Sequence, residues 1–246
     1  MSERVVIIPD AHHPYVDKAA WELMLTAIDV LDPDYGVIIG DFGDFSAVSS
    51  HPRRPDERLL IRETDAVNIA LDQVQAAGPM PWRYMEGNHE DRLRLFKWSK
   101  APELAGFAEV ETILGFAERD MPYHRYHTFS NIGKVFFNHG WRTGVNAARQ
   151  TVLDSGRNIV VGHSHRGALA TSGEIAGNHH FCLNVGWLGD LNAALDWASP
   201  GAYKDWQLGF GIVDIDGDYA SPIFVPIIET SKFRRLMILE GETYKA

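Results

Sequence analysis

Five short apolar runs constrain the fold of this chain more than any other feature. They are Arg4-Val5-Val6-Ile7-Ile8, Gly36-Val37-Ile38-Ile39, Pro81-Trp82-Arg83-Tyr84-Met85, Lys134-Val135-Phe136-Phe137 and Asn158-Ile159-Val160-Val161. They lack polar–apolar alternation and are rich in β-branched or aromatic residues, the pattern of strands buried on both faces. Helical periodicity lies between them. Trp21, Leu25, Ile28 and Leu31 recur at helical spacing over 17–31, and Pro33 stops that helix. Leu60, Val67, Leu71 and Val74 do the same over 56–77, and a further helix is expected over about 145–154. Buried strands alternating with amphipathic helices predict an α/β fold.

Every one of these runs ends in a turn bearing metal-ligand side chains. The turns contain Asp10 and His12, Asp41 and Asp44, Asn88 and His89, His139, and His163 and His165. Taken singly each has a plain structural reading: an Asx turn before a helix, a Gly-Asp surface turn, a solvated loop histidine. Together they do not, because turns after parallel strands share the carboxyl edge of a sheet, where ligands bind. Gly87-Asn88-His89-Glu90 is repeated in part by Gly177-Asn178-His179, but the second copy enters a strand-like run, 179–185, after a Gly-Asn turn suited to a hairpin. It is read as a decoy.

The remaining chain reads mostly as β structure, over 167–171, 210–215 and 223–228, with a turn at Asp216-Gly217-Asp218. A hairpin is expected between 123–129 and 134–137. The helical segment 91–120 interrupts the alternation and is either a cap over the site or extra packing on the core, with packing preferred. Trp187, Trp197, Tyr203 and Trp206 cluster in a loop-rich stretch and are assigned to core packing rather than to stacking on a base. His51-Pro52-Arg53-Arg54-Pro55 is a polar loop whose arginines are solvated. No repeat or linker breaks the chain, so one domain over 1–246 is expected.

Composition narrows the function. The single cysteine, Cys182, excludes an internal disulfide framework and a thiolate zinc site. A net charge of −10 argues against a broad nucleic-acid surface. No apolar run approaches the roughly 18 residues of a membrane span, and the short apolar stretch after Met1 is no signal peptide. A cytoplasmic protein without membrane contact is expected. Oxygen and nitrogen ligands without cysteine suffice for two divalent ions if one carboxylate is shared, and phosphoester hydrolysis is the reaction that best uses such a pair.

The ordered series Asp10-x-His12, Gly40-Asp41-x-x-Asp44, Gly87-Asn88-His89-Glu90, His139-Gly140 and Gly162-His163-x-His165 resembles the calcineurin-like metallophosphoesterases. The resemblance implies a four-layer α/β/β/α sandwich, two mixed sheets flanked by helices. It implies that Asp10, His12, Asp41 and His165 hold one metal and that Asp41, Asn88, His139 and His163 hold the other, with Asp41 as the bridge. A hydroxide between the metals would attack phosphorus, His89 would protonate the leaving oxygen, and Asp44 would orient His89. Mn²⁺ is the first expectation for both ions, with Fe, Zn²⁺ or Ni²⁺ as alternatives. The protein phosphatase branch carries an arginine where this chain has Phe45, and an apolar residue cannot grip phosphate in two places. That departure favours the small bacterial or phage-type enzymes acting on a small phosphodiester, phosphomonoester or nucleotide. A nuclease with a basic groove through Arg53, Arg54, Arg92, Arg94 and Arg142, or a protein phosphatase, is the alternative.

Overall fold

The first buried run becomes the centre of the molecule. In the computed structural model, which describes residues 2–50, 59–173, 175, 177–195, 198, 200–232 and 234–246, strand β1 (Glu3–Ile8) has neighbours on both sides. Helix α1 (Lys18–Leu31) follows, started by Asp17, whose side chain accepts the Ala20 N–H at 3.0 Å. It ends where Asp32 turns left-handed ahead of Pro33. Then come β2 (Tyr35–Ile38), α2 (Leu60–Ala77), β3 (Trp82–Met85), α3 (Asn88–Lys100), the short α4 (Val110–Ile113) and β4 (Tyr123–His124). The second half holds β5 (Ser130–Ile132), β6 (Val135–Phe137), α5 (Ala147–Ser155), β7 (Asn158–Val161), β8 (Gly167–Gly173) and β9 (His179–Val185). Four strands close the chain: β10 (Gly209–Asp216), β11 (Tyr219–Ile228), β12 (Leu236–Leu239) and β13 (Glu242–Lys245).

These strands form two mixed sheets. The larger has the order β13-β12-β11-β10-β1-β2-β3-β4, and the smaller β5-β6-β7-β9-β8. In the first, β1 to β4 run parallel, and β10 joins β1 antiparallel, with Val5 opposite Val213. In the second, β6, β7 and β9 run parallel. Residue alternation along β1 explains why its sequence shows none. Val5 and Ile7 face the smaller sheet, packing with Val135, Phe137, Val160 and Leu183. Val6 and Ile8 face the other way, onto Ala20, Met24 and Ile28 of α1 and Val67 and Leu71 of α2. Ala148 and Val152 of α5 cover the outer face of the smaller sheet at Ile159, Val161 and Cys182. The layers are helices, sheet, sheet, helix, the four-layer sandwich expected. Both sets of parallel strands end at the same edge, where Leu188 N–H meets Asp10 O at 2.8 Å and Gly162 N–H meets His139 O at 2.9 Å.

Three expectations differ from the structure. Ser130–Ile132, read as a connector, is itself a strand and forms the hairpin with β6, while Tyr123–His124 pairs with β3 in the other sheet. The turn is at Gly133, the last residue of that connector, whose φ of 53° suits glycine. The hairpin β12–β13 was not anticipated; its strand at 242–245 is polar and mostly exposed, so it carries no burial signal. In the 91–120 segment, Val110, Leu114 and Phe116 pack into the helix-side core, whereas Leu95, Trp98, Leu104 and Phe107 are exposed. The loop 51–55 and the start of the helix expected over 56–77 fall on positions 51–58, outside the described residues, as does Trp197.

Candidate metal centre

Backbone strain marks the shared edge. His12, Asp41, His163 and His165 have φ of 54°, 47°, 65° and 58°, a left-handed region that costs a residue with a Cβ about 1 kcal/mol or more. Four such residues at one edge are held there by their surroundings. Two glycines make room: a Cβ on Gly87 would collide with the Asp41 carboxylate, and one on Gly162 with the Asp10 carboxylate. The second device is Glu90, wholly buried in the first turn of α3. Its carboxylate accepts from the N–H groups of Gly87 (2.9 Å), Asp41 (3.0 Å) and Gly43 (3.0 Å), and from the Tyr84 hydroxyl (2.7 Å). One side chain thus ties the turn after β2 to the turn after β3. Sequence reasoning saw Glu90 only as part of a motif; its burial beside a hydroxyl from β3 was the missing signal.

The structure brings all nine candidate residues together. Ligand atoms of Asp10, His12 and His165 lie within 4.8 Å of one another, as do those of Asp41, His139 and His163. His165 Nε2 is 3.3 Å from Asp10 Oδ2 and 3.2 Å from His12 Nε2. His139 Nε2 is 3.3 Å from Asp41 Oδ2 and 3.1 Å from Asn88 Oδ1. His163 donates its backbone N–H to Asp10 at 2.9 Å. His89 joins His12 and Asp41 in a third grouping, with its Nε2 3.7 Å from Asp41 Oδ2. Asp44 Oδ1 lies 3.0 Å from Nδ1 of His12 and 3.0 Å from Nδ1 of His89, so one carboxylate orients two imidazoles.

The donor set fits divalent cations. Asp10 and Asp41 are buried, and among the described residues neither has a Lys or Arg partner. Two buried carboxylates side by side are costly unless positive charge is brought to them. Burial, with Asp41 adding to it, pushes Asp10 up to about 6. His139 donates Nδ1–H to Ile39 O at 2.9 Å, which leaves Nε2 aimed at two oxygen acceptors. Burial alone would keep that ring neutral, but Asp41 overcomes it and raises His139 to about 10. The same gap between these acceptors is one where a cation could stand in place of a proton. Burial holds His163 down at about 4 and His165 at about 3, so both offer neutral nitrogen lone pairs.

Three neighbours were missed or misread. Trp187 stacks on His165, with ring centroids 5.1 Å apart and planes at 12°, and Trp206 meets the same ring edge-on at 4.3 Å. Trp187 is buried, as the core-packing assignment expected, but both indoles pack against the His165 side of the cluster. Arg92, one helical turn after His89, places Nη2 2.8 Å from His89 Nε2. His179 and His180 lie at the start of β9, and Trp187 follows its other end, so the second Gly-Asn-His stands at the far edge of the sheet. His179→Gln is expected to leave hydrolysis within a few-fold of the parent protein; a hundredfold loss in a folded variant would contradict that placement.

A second carboxylate near the centre titrates unusually. Glu63 is buried and accepts from the Ser46 hydroxyl and the Ala47 N–H. Burial raises it from 4.5 to about 7, more than those hydrogen bonds lower it. Its folded-state affinity for the proton exceeds the unfolded one, so its contribution is complete below pH 4.5 and is lost as pH rises through about 7. Thermal melts of the parent protein against Glu63→Gln should therefore diverge across that window, the variant lacking a few degrees of the decline. Parallel curves would mean Glu63 is ionised throughout.

No family model matches the chain. It is 28% identical to the Gene 54 protein of Mycobacterium phage D29, over 93% of this chain and 95% of that protein. The Gene 54 protein of Mycobacterium phage L5 is 27% identical over the same shares of the two chains. Among solved structures, Chaetomium thermophilum Vps29 superposes with a TM-score of 0.50 at 12% identity, covering 99% of this chain and 97% of that one. YfcE, a phosphoesterase from E. coli, superposes with a TM-score of 0.46 at 17% identity, over 90% and 92%. Two mixed sheets between helices, with the Asp and His cluster where their parallel strands end, give this chain the fold of Vps29, the four-layer sandwich that the calcineurin-like resemblance implied.

Proposed function

We propose that this protein is a metal-dependent phosphoesterase with a dinuclear centre, acting on a small nucleotide-like substrate. The observation that carries this reading is the pair of buried carboxylates, Asp10 and Asp41, lacking any Lys or Arg partner among the described residues and ringed by imidazole nitrogens. Asp10, His12, Asp41 and His165 would hold one ion and Asp41, Asn88, His139 and His163 the other, with Mn²⁺ the first choice and Fe, Zn²⁺ or Ni²⁺ as alternatives. When bound, two such cations supply Lewis-acid activation of a phosphoryl group and of water. The chain supplies the rest. Asp44 fixes the His89 ring through Nδ1, which turns Nε2 toward Asp41 and the cluster. Arg92 Nη2 stands 2.8 Å from that Nε2, so a proton taken up there once the guanidinium turns away would pass to a leaving oxygen, as a general acid.

The nuclease alternative needs a continuous basic surface. Arg94 is instead paired with Asp91 and Arg142 with Asp154, while Arg53 and Arg54 lie outside the described residues. Among the described residues no helix is long and apolar enough to cross a membrane. Purified protein loaded with Mn²⁺ should hydrolyse p-nitrophenyl phosphate or bis-p-nitrophenyl phosphate and leave single-stranded DNA largely intact. Metal content near two per chain with neither ester hydrolysed would reject the reading.

A further inference from the structure

Arg92 stands out among the cations of this molecule. Its Nη1 donates to the Asp44 carbonyl at 2.8 Å and its Nη2 to His89 Nε2 at 2.8 Å. Neither partner is a carboxylate, and among the described residues the guanidinium forms no ion pair. Glu63 bonds to Ser46 and Ala47, and the Arg92 charge acts on it only through space, without an ion pair. Arg166, which follows His165, is engaged with Thr143 O and lies 3.7 Å from Asp205. Phe45, next to Asp44 on the same turn, is fully buried in the helix-side core and brings no charge.

The position of the guanidinium is odd for a structural contact. Arginine only donates, so His89 Nε2 must accept, and Nδ1 is already committed to Asp44. Arg92 therefore covers the one atom through which His89 could act on a substrate. An imidazole lone pair is a modest acceptor, and a phosphoryl oxygen is a far better one for a guanidinium fork. His89 and Arg92 are three residues apart on one helical face, so the swing from ring to substrate needs only side-chain rotation.

We propose that Arg92 binds the terminal oxygens of the substrate's phosphoryl group and selects phosphomonoesters over phosphodiesters. The proposal rests on the phosphoesterase reading above. A monoester offers three unesterified oxygens and two negative charges, and a diester two oxygens and one charge. A fork that forms no ion pair among the described residues gains more from the former. Ground-state contact of this kind appears in KM and not in sensitivity to the leaving group.

The test compares Arg92→Ala and Arg92→Lys with the parent protein, all with metal content verified. Arg92→Ala should raise KM for p-nitrophenyl phosphate and the inhibition constant of inorganic phosphate by about tenfold to a hundredfold, the return on one charged hydrogen bond. Bis-p-nitrophenyl phosphate should change by no more than a few-fold, and Arg92→Lys should fall between. Across a series of monoester leaving groups the dependence on leaving-group pKa should match the parent. Equal losses on both esters would overturn the selectivity, and a steeper leaving-group dependence would make Arg92 a positioning residue for His89. Calorimetric binding of inorganic phosphate decides the matter even for a protein that turns over neither ester. Unchanged phosphate affinity in Arg92→Ala would reject the contact, and lost affinity would keep it while the phosphoesterase reading failed on its own.

Discussion

Asp41→Asn should strip the centre of its paired metals. The residue follows β2 with a left-handed backbone, and its carboxylate lies 3.3 Å from His139 Nε2 and 3.7 Å from His89 Nε2. It also accepts the His89 N–H at 2.8 Å, a bond that the amide oxygen of asparagine can retain. The substitution therefore removes charge while keeping shape. If Asp41 is shared by both ions, metal content should fall well below the parent value of about two per chain. Activity should drop by more than about a hundredfold, since even outlying partners of metal ligands are worth ten- to a hundredfold. Added Mn²⁺ should raise the melting temperature of the parent but not of the variant, because only a bound ligand stabilises the folded state. Both metals retained with full activity would remove Asp41 from the centre.

His89→Ala should separate proton donation from metal binding. His89 is buried, with Nδ1 on Asp44 and Nε2 directed at the cluster, yet Asn88 beside it is the residue given a ligand role. General acids contribute about 10²–10⁴-fold, more as the leaving group becomes more basic. An aryl diester departs as a weakly basic phenolate and needs little help; an alkyl monoester departs as an alkoxide. The variant should keep both metals and appreciable activity on bis-p-nitrophenyl phosphate, and lose far more on alkyl phosphates. Its rates should depend more steeply on leaving-group pKa than those of the parent. Equal slopes would dismiss the acid role. A lost metal would instead place His89 among the ligands, an outcome that its grouping with His12 and Asp41 makes informative.

Such tests can be posed because the candidate ligand residues follow strands whose burial is written locally. Val5 to Ile8, Val37 to Ile39 and Ile159 to Val161 are apolar without alternation because each strand has protein on both faces. Helices α1 and α2 carry an apolar stripe for the same reason. The polar strand β13 and the short strand β5 carry no such stripe, and sequence reading passed over both.

What the sequence by itself determined is the chemistry at each strand end and the side of the sheet on which it would stand. Gly40-Asp41, Gly87-Asn88-His89 and Gly162-His163-Ser164-His165 are each a local statement, made by residue type and by the strand before it. Only the tertiary structure decided which partners those residues meet. That Glu90 ties together Asp41, Gly43, Gly87 and Tyr84 depends on two turns far apart in the chain being brought side by side. That Trp187 lies flat on His165 requires β9 to pair with β7 and so put the two turns after them at one edge. That Arg92 reaches His89 rather than solvent depends on the helix starting at Asn88, immediately after the turn. Residue type and periodicity act over a few positions, whereas these contacts are made by long-range strand pairing, which no local pattern encodes.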